Sequence, residues 1–371
     1  MANTRVYYAT QAVGLKPRNA ADTHGNTEYY PKGVQSVGIS TNFNLEQVFQ
    51  LGQLEIYDNV ENVPDVEVTL QKICDGSKML YPLCVQGTGS ANNAQIGSVS
   101  TNRVELALYV FKDTLSDAFD GQNLQSSNYG KVTCSGMYLS SVAYTIPVEG
   151  FITEDVTLVG NSKIYSNSLG GAQLANGGQD NGKTLSPSKI GRRINLSTES
   201  VLPTGVIDDD DTKGAMAINT RTDDTTRPNN PYLQNINISM DLGREAIFEL
   251  GKFSPYARYA TFPIEVSSEF EVIAESHDQV KADDFKNASA CGTTNISNLD
   301  DLPIKIVICG SGTTDKYGID LGSKNKLTSV NYSGGDTGGG NATITYSYQT
   351  FNSFKVLESG SFLSTDQILV G

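Results

Sequence analysis

The chain has 371 residues, 38% of them hydrophobic and 18% charged, with a formal net charge of -14 and no Trp. That is enough apolar material for a core of two or three domains, while the charged fraction lies below the roughly 25% of an average globular protein. So acidic a surface repels nucleic acid unless cations cluster. The largest Lys/Arg cluster is Arg192-Arg193, which argues against sequence-specific DNA binding.

The opening Met1-Ala-Asn-Thr-Arg-Val-Tyr-Tyr8 has no basic region followed by an apolar core, so no secretory signal is expected. No apolar run approaches the ~20 residues of a membrane-spanning helix, so no membrane anchor is expected either. Residues 1–32 read as an arm with little core, with Tyr7, Tyr8, Tyr29 and Tyr30 as contact aromatics. Beyond it, short runs of Val, Ile, Thr and Tyr broken by Gly, Asn and Pro predict strands joined by turns. The few predicted helices are short: Leu45–Leu51, Met79–Cys84, Leu115–Phe119 and Gly243–Leu250.

An internal repeat organises the rest. Residues 35–64 lie on residues 234–263 without a gap, at an offset of 199. Nine of these thirty pairs are identical: Gln35/Gln234, Ile39/Ile238, Ser40/Ser239, Glu46/Glu245, Phe49/Phe248, Leu51/Leu250, Gly52/Gly251, Tyr57/Tyr256 and Pro64/Pro263. Chance gives roughly two. After one inserted residue, Val66-Glu-Val-Thr69 faces Ile264-Glu-Val-Ser267. Val104–Phe111 and Leu302–Cys309 then correspond in order, as do Tyr/Thr/Ser-rich strand pairs near 132–165 and 329–358. The reading is two copies of one β module, at 33–165 and 231–371, joined by a linker or insertion at 166–230. That linker has no Phe or Tyr and carries Asp208-Asp-Asp-Asp211, so it cannot bury a core of its own.

The strands show period two. Val66, Val68 and Leu70 point one way, Asp65, Glu67, Thr69 and Gln71 the other. Likewise Ile264, Val266, Phe270 and Val272 oppose Glu265, Ser267, Glu269 and Glu271. The acidic stripe of Asp65, Glu67, Glu265, Glu269 and Glu271 is either a solvated outer face or the wall of a pore. Phe49 with Gly52, and Phe248 with Gly251, read as a turn closing each module with an aromatic plug and a positive-φ glycine, or as a subunit contact.

Motifs for chemistry are wanting. The two histidines, His24 and His277, stand in unrelated contexts, and no nucleophile sits beside a base. Asp208–Asp211 lacks the spacing, Gly and closing Glu of a calcium loop. The tracts starting at Gly310 and Gly334 lack the Gly-Lys-Ser/Thr ending of a phosphate loop. The five cysteines, 74, 84, 134, 291 and 309, show no metal-ligand pattern and read as buried free thiols. No catalytic residue, cofactor or metal is expected.

The segment from Gly33-Val-Gln-Ser-Val-Gly-Ile-Ser through Phe49-Gln-Leu-Gly52 to Val66-Glu-Val-Thr-Leu70 resembles the tail tube proteins of long-tailed bacteriophages. Gly243-Arg-Glu-Ala-Ile-Phe-Glu-Leu-Gly251 with Pro263-Ile-Glu-Val266 resembles them too. The resemblance covers roughly a fifth of the chain. It implies a mainly β fold of two tandem β-sandwich modules with short flanking helices, assembling into a ring-wide β-barrel. Rings of such modules stack into a tube that conducts the genome. DNA passes through the lumen without specific binding, and sheath, baseplate and terminator proteins are further partners. The protein would be made in the host cytoplasm and reside in the virion tail. Two modules in one plane give a trimer with pseudo-sixfold symmetry; stacked modules, or one tube and one decoration module, give a hexamer. Other readings are a tail terminator, baseplate hub or capsid decoration protein, and a carbohydrate-binding adhesin.

Overall fold

The structure, a computed structural model, describes residues 6–18, 28, 30–75, 79–85, 94–111, 119–120, 123–124, 128–166, 191–197, 200–203, 216–217, 232–274, 301–309, 316–334 and 340–358. The first half contributes β1 (Gln11–Arg18), β2 (Val34–Asn42), β3 (Leu45–Phe49), β4 (Ile56–Glu61), β5 (Asp65–Ile73) and the short helix α1 (Leu80–Val85). There follow β6 (Ala94–Gln95), α2 (Ile96–Val99), β7 (Arg103–Phe111), β8 (Phe119–Asp120), β9 (Asn123–Leu124), β10 (Asn128–Pro147), β11 (Thr153–Gly160) and β12 (Ser162–Ser166). Then come β13 (Val201–Leu202), β14 (Met216–Ala217), β15 (Tyr232–Asp241), β16 (Glu245–Ile247), β17 (Ala257–Tyr259) and β18 (Glu265–Ile273). The chain ends its described part with β19 (Lys305–Cys309), β20 (Lys316–Asp320), β21 (Lys326–Ser333), β22 (Thr343–Phe351) and β23 (Lys355–Glu358).

Eight strands run side by side, all antiparallel, in the order β2-β5-β11-β10-β15-β18-β22-β21. The sheet is open, not a closed barrel. β10 is twenty residues long and shifts register between Cys134 and Met137, where Gly136 takes φ +67°. Before this point it pairs with β7 and β12; after it, β7 continues only to Met137 and Tyr138, and β11 and β15 take over. A second sheet runs β14-β13-β19-β20-β23-β6. Both sheets feed one core. It joins Val66, Val68, Leu70, Phe270 and Val272 from the large sheet to Ile306, Ile308, Ile319 and Val356 from the second. Period-two burial in β5, β11, β18 and β22 places the apolar side chains there, as the alternation requires.

Several expectations change. Leu45–Leu51 and Gly243–Leu250 are not helices: β3 pairs with β4, and β16 with β17, as two-stranded ribbons. Their apolar side chains are exposed, so no packing surface exists to select a helix. Met79–Cys84 does contain a helix, α1. Leu115–Phe119 lies outside the described residues apart from Phe119 in β8. The supposed arm supplies β1, which pairs along its length with β7 and buries Ala12, Val13 and Leu15. Part of the aromatic-free segment does the same for β19: Leu196 bridges Ile308, Val201 pairs with Lys305, and Leu202 is buried. Cys74, Cys84 and Cys134 are buried free thiols, as expected, and Cys309 is half-buried and free. Cys291 lies outside the described residues.

Glu154 fixes α1 to the large sheet. Its fully buried carboxylate accepts hydrogen bonds from the backbone N–H of Leu80 and of Tyr81 (2.9 Å), and from the Tyr144 hydroxyl (2.7 Å). Burial raises its pKa, the hydrogen bonds pulling the other way without cancelling the rise. The folded state therefore binds this proton more tightly than the unfolded chain. The resulting contribution is full below the unfolded pKa and is lost as pH rises through the folded value. Glu154→Ala strands three donors and should cost about 3–5 kcal/mol in chemical denaturation. Glu154→Gln should cost less, and the stability gap between wild type and this variant should widen on mild acidification.

Candidate assembly edges and the acidic face

Strand pairing in the first four strands of the large sheet is carried onto the last four by constant offsets. In β2–β5, Thr41 pairs with Val66 and Ser36 with Gln71, then the register shifts at Gln35. In β15–β18, Met240 pairs with Val266 and Asn235 with Glu271, then shifts at Gln234. Adding 199 to β2 and 200 to β5 maps one pair onto the other. Even the bulge residues match: Gln35 Nε2 donates to the Gly33 carbonyl (3.1 Å), and Gln234 Nε2 to the Tyr232 carbonyl (3.2 Å). β10–β11 shifts between Leu139 and Ser141, and β21–β22 between Leu327 and Ser329. Here the offsets are 188 and 190. They align Tyr138-Leu-Ser-Ser-Val-Ala-Tyr-Thr145 with Lys326-Leu-Thr-Ser-Val-Asn-Tyr-Ser333, a likeness that the 199 offset hides. The structural partner of Val66 is thus Val266, not Ile264. Because this slip is two residues, every side chain keeps its face.

The two four-strand blocks meet at β10–β15. There Tyr144 faces Ile238 and both are 1% exposed. The outer strands are β2, equivalent to β15, and β21, equivalent to β10. Among the described strands each has one partner, β5 or β22. On these edges the equivalent side chains are less covered: Tyr332 is 53% exposed and Ile39 only half-buried.

The sheet's other face is polar. Glu67, Glu265 and Glu269 are exposed and Glu271 half-buried, all opposite the core. Asp155 on β11 and Asp241 on β15, which the sequence pattern did not single out, share this side. Between them stand Ser, Thr, Asn and Gln, with a Ser239–Ser267 hydroxyl contact of 2.8 Å. Basic residues share this side too: Arg103 of β7 and Arg18 of β1 continue the cross-strand row Glu67–Val159–Tyr138, and Lys326 of β21 pairs with Asp301 at 3.2 Å. Arg192 and Arg193 lie at the β10–β11 turn instead, Arg192 over the Phe151 ring.

Asp65 differs from the other acids. It is bonded to Arg258 of β17 (2.6 Å) and to Asn44 (2.8 Å), holding the second ribbon against the first block. Burial opposes its ionisation, but these hydrogen bonds and the guanidinium charge outweigh that and hold its pKa below the ordinary value. Arg244 makes a second clamp, donating through Nε to the Leu139 carbonyl and stacking over Tyr138; burial lowers its pKa to about 10.

Both ribbons present an apolar set to solvent. Phe49, Leu51, Leu54 and Tyr57 are exposed on the first, and Phe248, Leu250, Phe253 and Tyr256 on the second. Gly52 and Gly251 take φ +91° and +85°, so the expected positive-φ turn is present. The aromatic plug is not, since Phe49 and Phe248 are 67% and 60% exposed.

No known protein family matches the sequence, and no curated protein matches it. Among the described residues, no cluster of His, Cys, Asp and Glu could hold a metal, and no helix is long and apolar enough to cross a membrane. His24, His277, Tyr29 and Asp208–Asp211 lie outside the described residues, as does most of both Gly-rich tracts.

Arg258→Ala should cost no more than about 1 kcal/mol at neutral pH, because Asp65 is half exposed and its pair screened by solvent. A lowered carboxyl stabilises above its unfolded pKa and loses that contribution as pH falls through the folded value. Urea midpoints of wild type and variant should therefore converge in acid.

Proposed function

We propose that the chain is a non-enzymatic structural protein of the virion, the tail tube subunit of a long-tailed bacteriophage. The modules are two copies of one β-sandwich, each placing four strands in the large sheet. Copies of the chain join these sheets edge to edge into a ring, and rings stack into a tube for the genome. The observation that carries this reading is the match between the sheet's two outer edges and the two edges joined in its middle. A joint that closes once inside the chain can close again between chains, and each closure removes an edge that otherwise invites uncontrolled pairing.

Both acidic strands lie on one face of one sheet, which favours modules in a single plane over stacked modules. Three chains then form a ring with pseudo-sixfold symmetry. Twenty-four strands at ~4.8 Å spacing give a backbone diameter of about 37 Å before strand tilt widens it. That leaves room for a DNA duplex along a wall whose strands β5, β11, β15 and β18 present hydroxyls, amides and carboxylates, the last of which repel phosphate. The exposed apolar ribbons, both at the same end of the sheet, suit contacts between successive rings.

Electron microscopy of the purified protein at high concentration tests the reading. The expected outcome is hollow tubes whose rings repeat one whole chain every 120°. Monodisperse monomers at all concentrations would refute it, and one chain every 60° would refute the planar trimer.

A further inference from the structure

We infer that β21 of one chain pairs with β2 of the next in a single defined register, with Tyr332 opposite Ile39. The inference rests on the self-assembly just proposed, but the register comes from the internal joint. Within the chain, Ser141 pairs with Asp241, Ala143 with Ser239, Tyr144 with Ile238 and Thr145 with Asn237. Adding 188 to each β10 residue and subtracting 199 from each β15 residue transfers the joint to the outer edges. Ser329 then pairs with Asn42, Val330 with Thr41, Asn331 with Ser40, Tyr332 with Ile39, and Ser333 with Gly38.

Three observations hold this register in place. The bulge at Ser140 recurs at Thr328, and the bulge at Gln234 recurs at Gln35, so both edges carry the irregularities that flank the internal joint. Side-chain facing agrees as well: Tyr332 and Ile39 fall on the core side, where Tyr144 and Ile238 are covered, and Asn331 and Ser40 fall on the acidic face. A one-residue slip would turn Tyr332 against the polar face of its neighbour. Finally, both edges are free among the described strands.

The internal joint also says which pairs lie closest. Val148 N–H donates to the Gln234 carbonyl and Leu242 N–H to the Ser140 carbonyl, so the even-numbered residues of β10 sit in hydrogen-bonded pairs. Ala143–Ser239 is then a non-hydrogen-bonded pair, whose side chains approach more closely. Its counterpart between chains is Asn331–Ser40.

The two joints differ in one respect. Arg244 and Arg258, which clamp the second ribbon to the first block, correspond to Leu45 and Asn59 on the first ribbon. The contact between chains thus keeps the strand register without the guanidinium clamps.

Disulfide trapping tests the register. The variant Ser40→Cys with Asn331→Cys, oxidised at a concentration at which particles form, should give covalent closed trimers on non-reducing electrophoresis. The offset variant Asn42→Cys with Asn331→Cys should not. Residues 40 and 331 lie on opposite edges of the sheet, so a bond within one chain cannot mimic the result. Tubes or rings that resist the first crosslink, or accept the second instead, overturn the register and leave the self-assembly reading standing. Failure of the uncrosslinked protein to associate at all overturns both.

Discussion

The backbone hydrogen bonds between β10 and β15 are the constraint on which the large sheet depends. They are the seam between two four-strand blocks, and every other pairing in the sheet lies within a block. A seam of this kind fixes side-chain facing as well as connectivity, because an antiparallel pair slipped by one residue would turn either Tyr144 or Ile238 out of the core. Their near-complete burial, against 53% exposure at the equivalent Tyr332, measures what the seam does and what the outer edges lack. Covering an aromatic or aliphatic side chain of this size contributes about 1.5–3 kcal/mol, so an uncovered edge carries a standing drive toward pairing.

The acidic face follows from the same geometry. Period two sends Val66, Val68 and Leu70 into the core and leaves Glu67 outside. It treats Val266, Phe270 and Val272 against Glu265, Glu269 and Glu271 alike. Because the seam keeps both blocks in one continuous sheet, these carboxylates share one side and cannot be divided between an inner and an outer layer. Asp65 is the exception that clarifies the rest: tied to Arg258, it stitches a ribbon to a strand, so its charge is compensated, whereas Glu67 and Glu265 have no ion pair among the described residues.

Much of this was legible in the sequence. The alternation in 65–71 and 264–272 gave both strands and their faces, and the ungapped match of 35–64 to 234–263 located the two blocks. The match misled where it was extended past Pro64 and Pro263, since the aligned strands are displaced there by two residues. It also hid the clearest later likeness, 138–145 with 326–333, because segments of unequal length between the strands change the offset to 188. The ribbons were misread for a different reason. Leu45, Val48, Phe49 and Leu51 have helical spacing, but spacing selects a helix only where a surface exists to cover its stripe, and here all four are exposed. The role of 191–203 was invisible to composition: a segment without aromatics cannot build a core, yet Leu196, Val201 and Leu202 need only join one already built by β19.

The blocks are alike in register and unlike in reinforcement. In the first, Glu154 anchors α1, and buried Lys72 bonds Asp75 at 2.7 Å and the Lys32 carbonyl. The corresponding positions in the second block are Ile344 and Val272, which need no partners. The clamps at the seam are similarly one-sided, since Arg244 and Arg258 belong to the second ribbon and have no basic counterpart on the first. On the proposed assembly this asymmetry orders events. The seam inside the chain closes at high effective concentration and is locked by two guanidinium groups. The joint between chains forms later, from strand pairing and apolar burial alone.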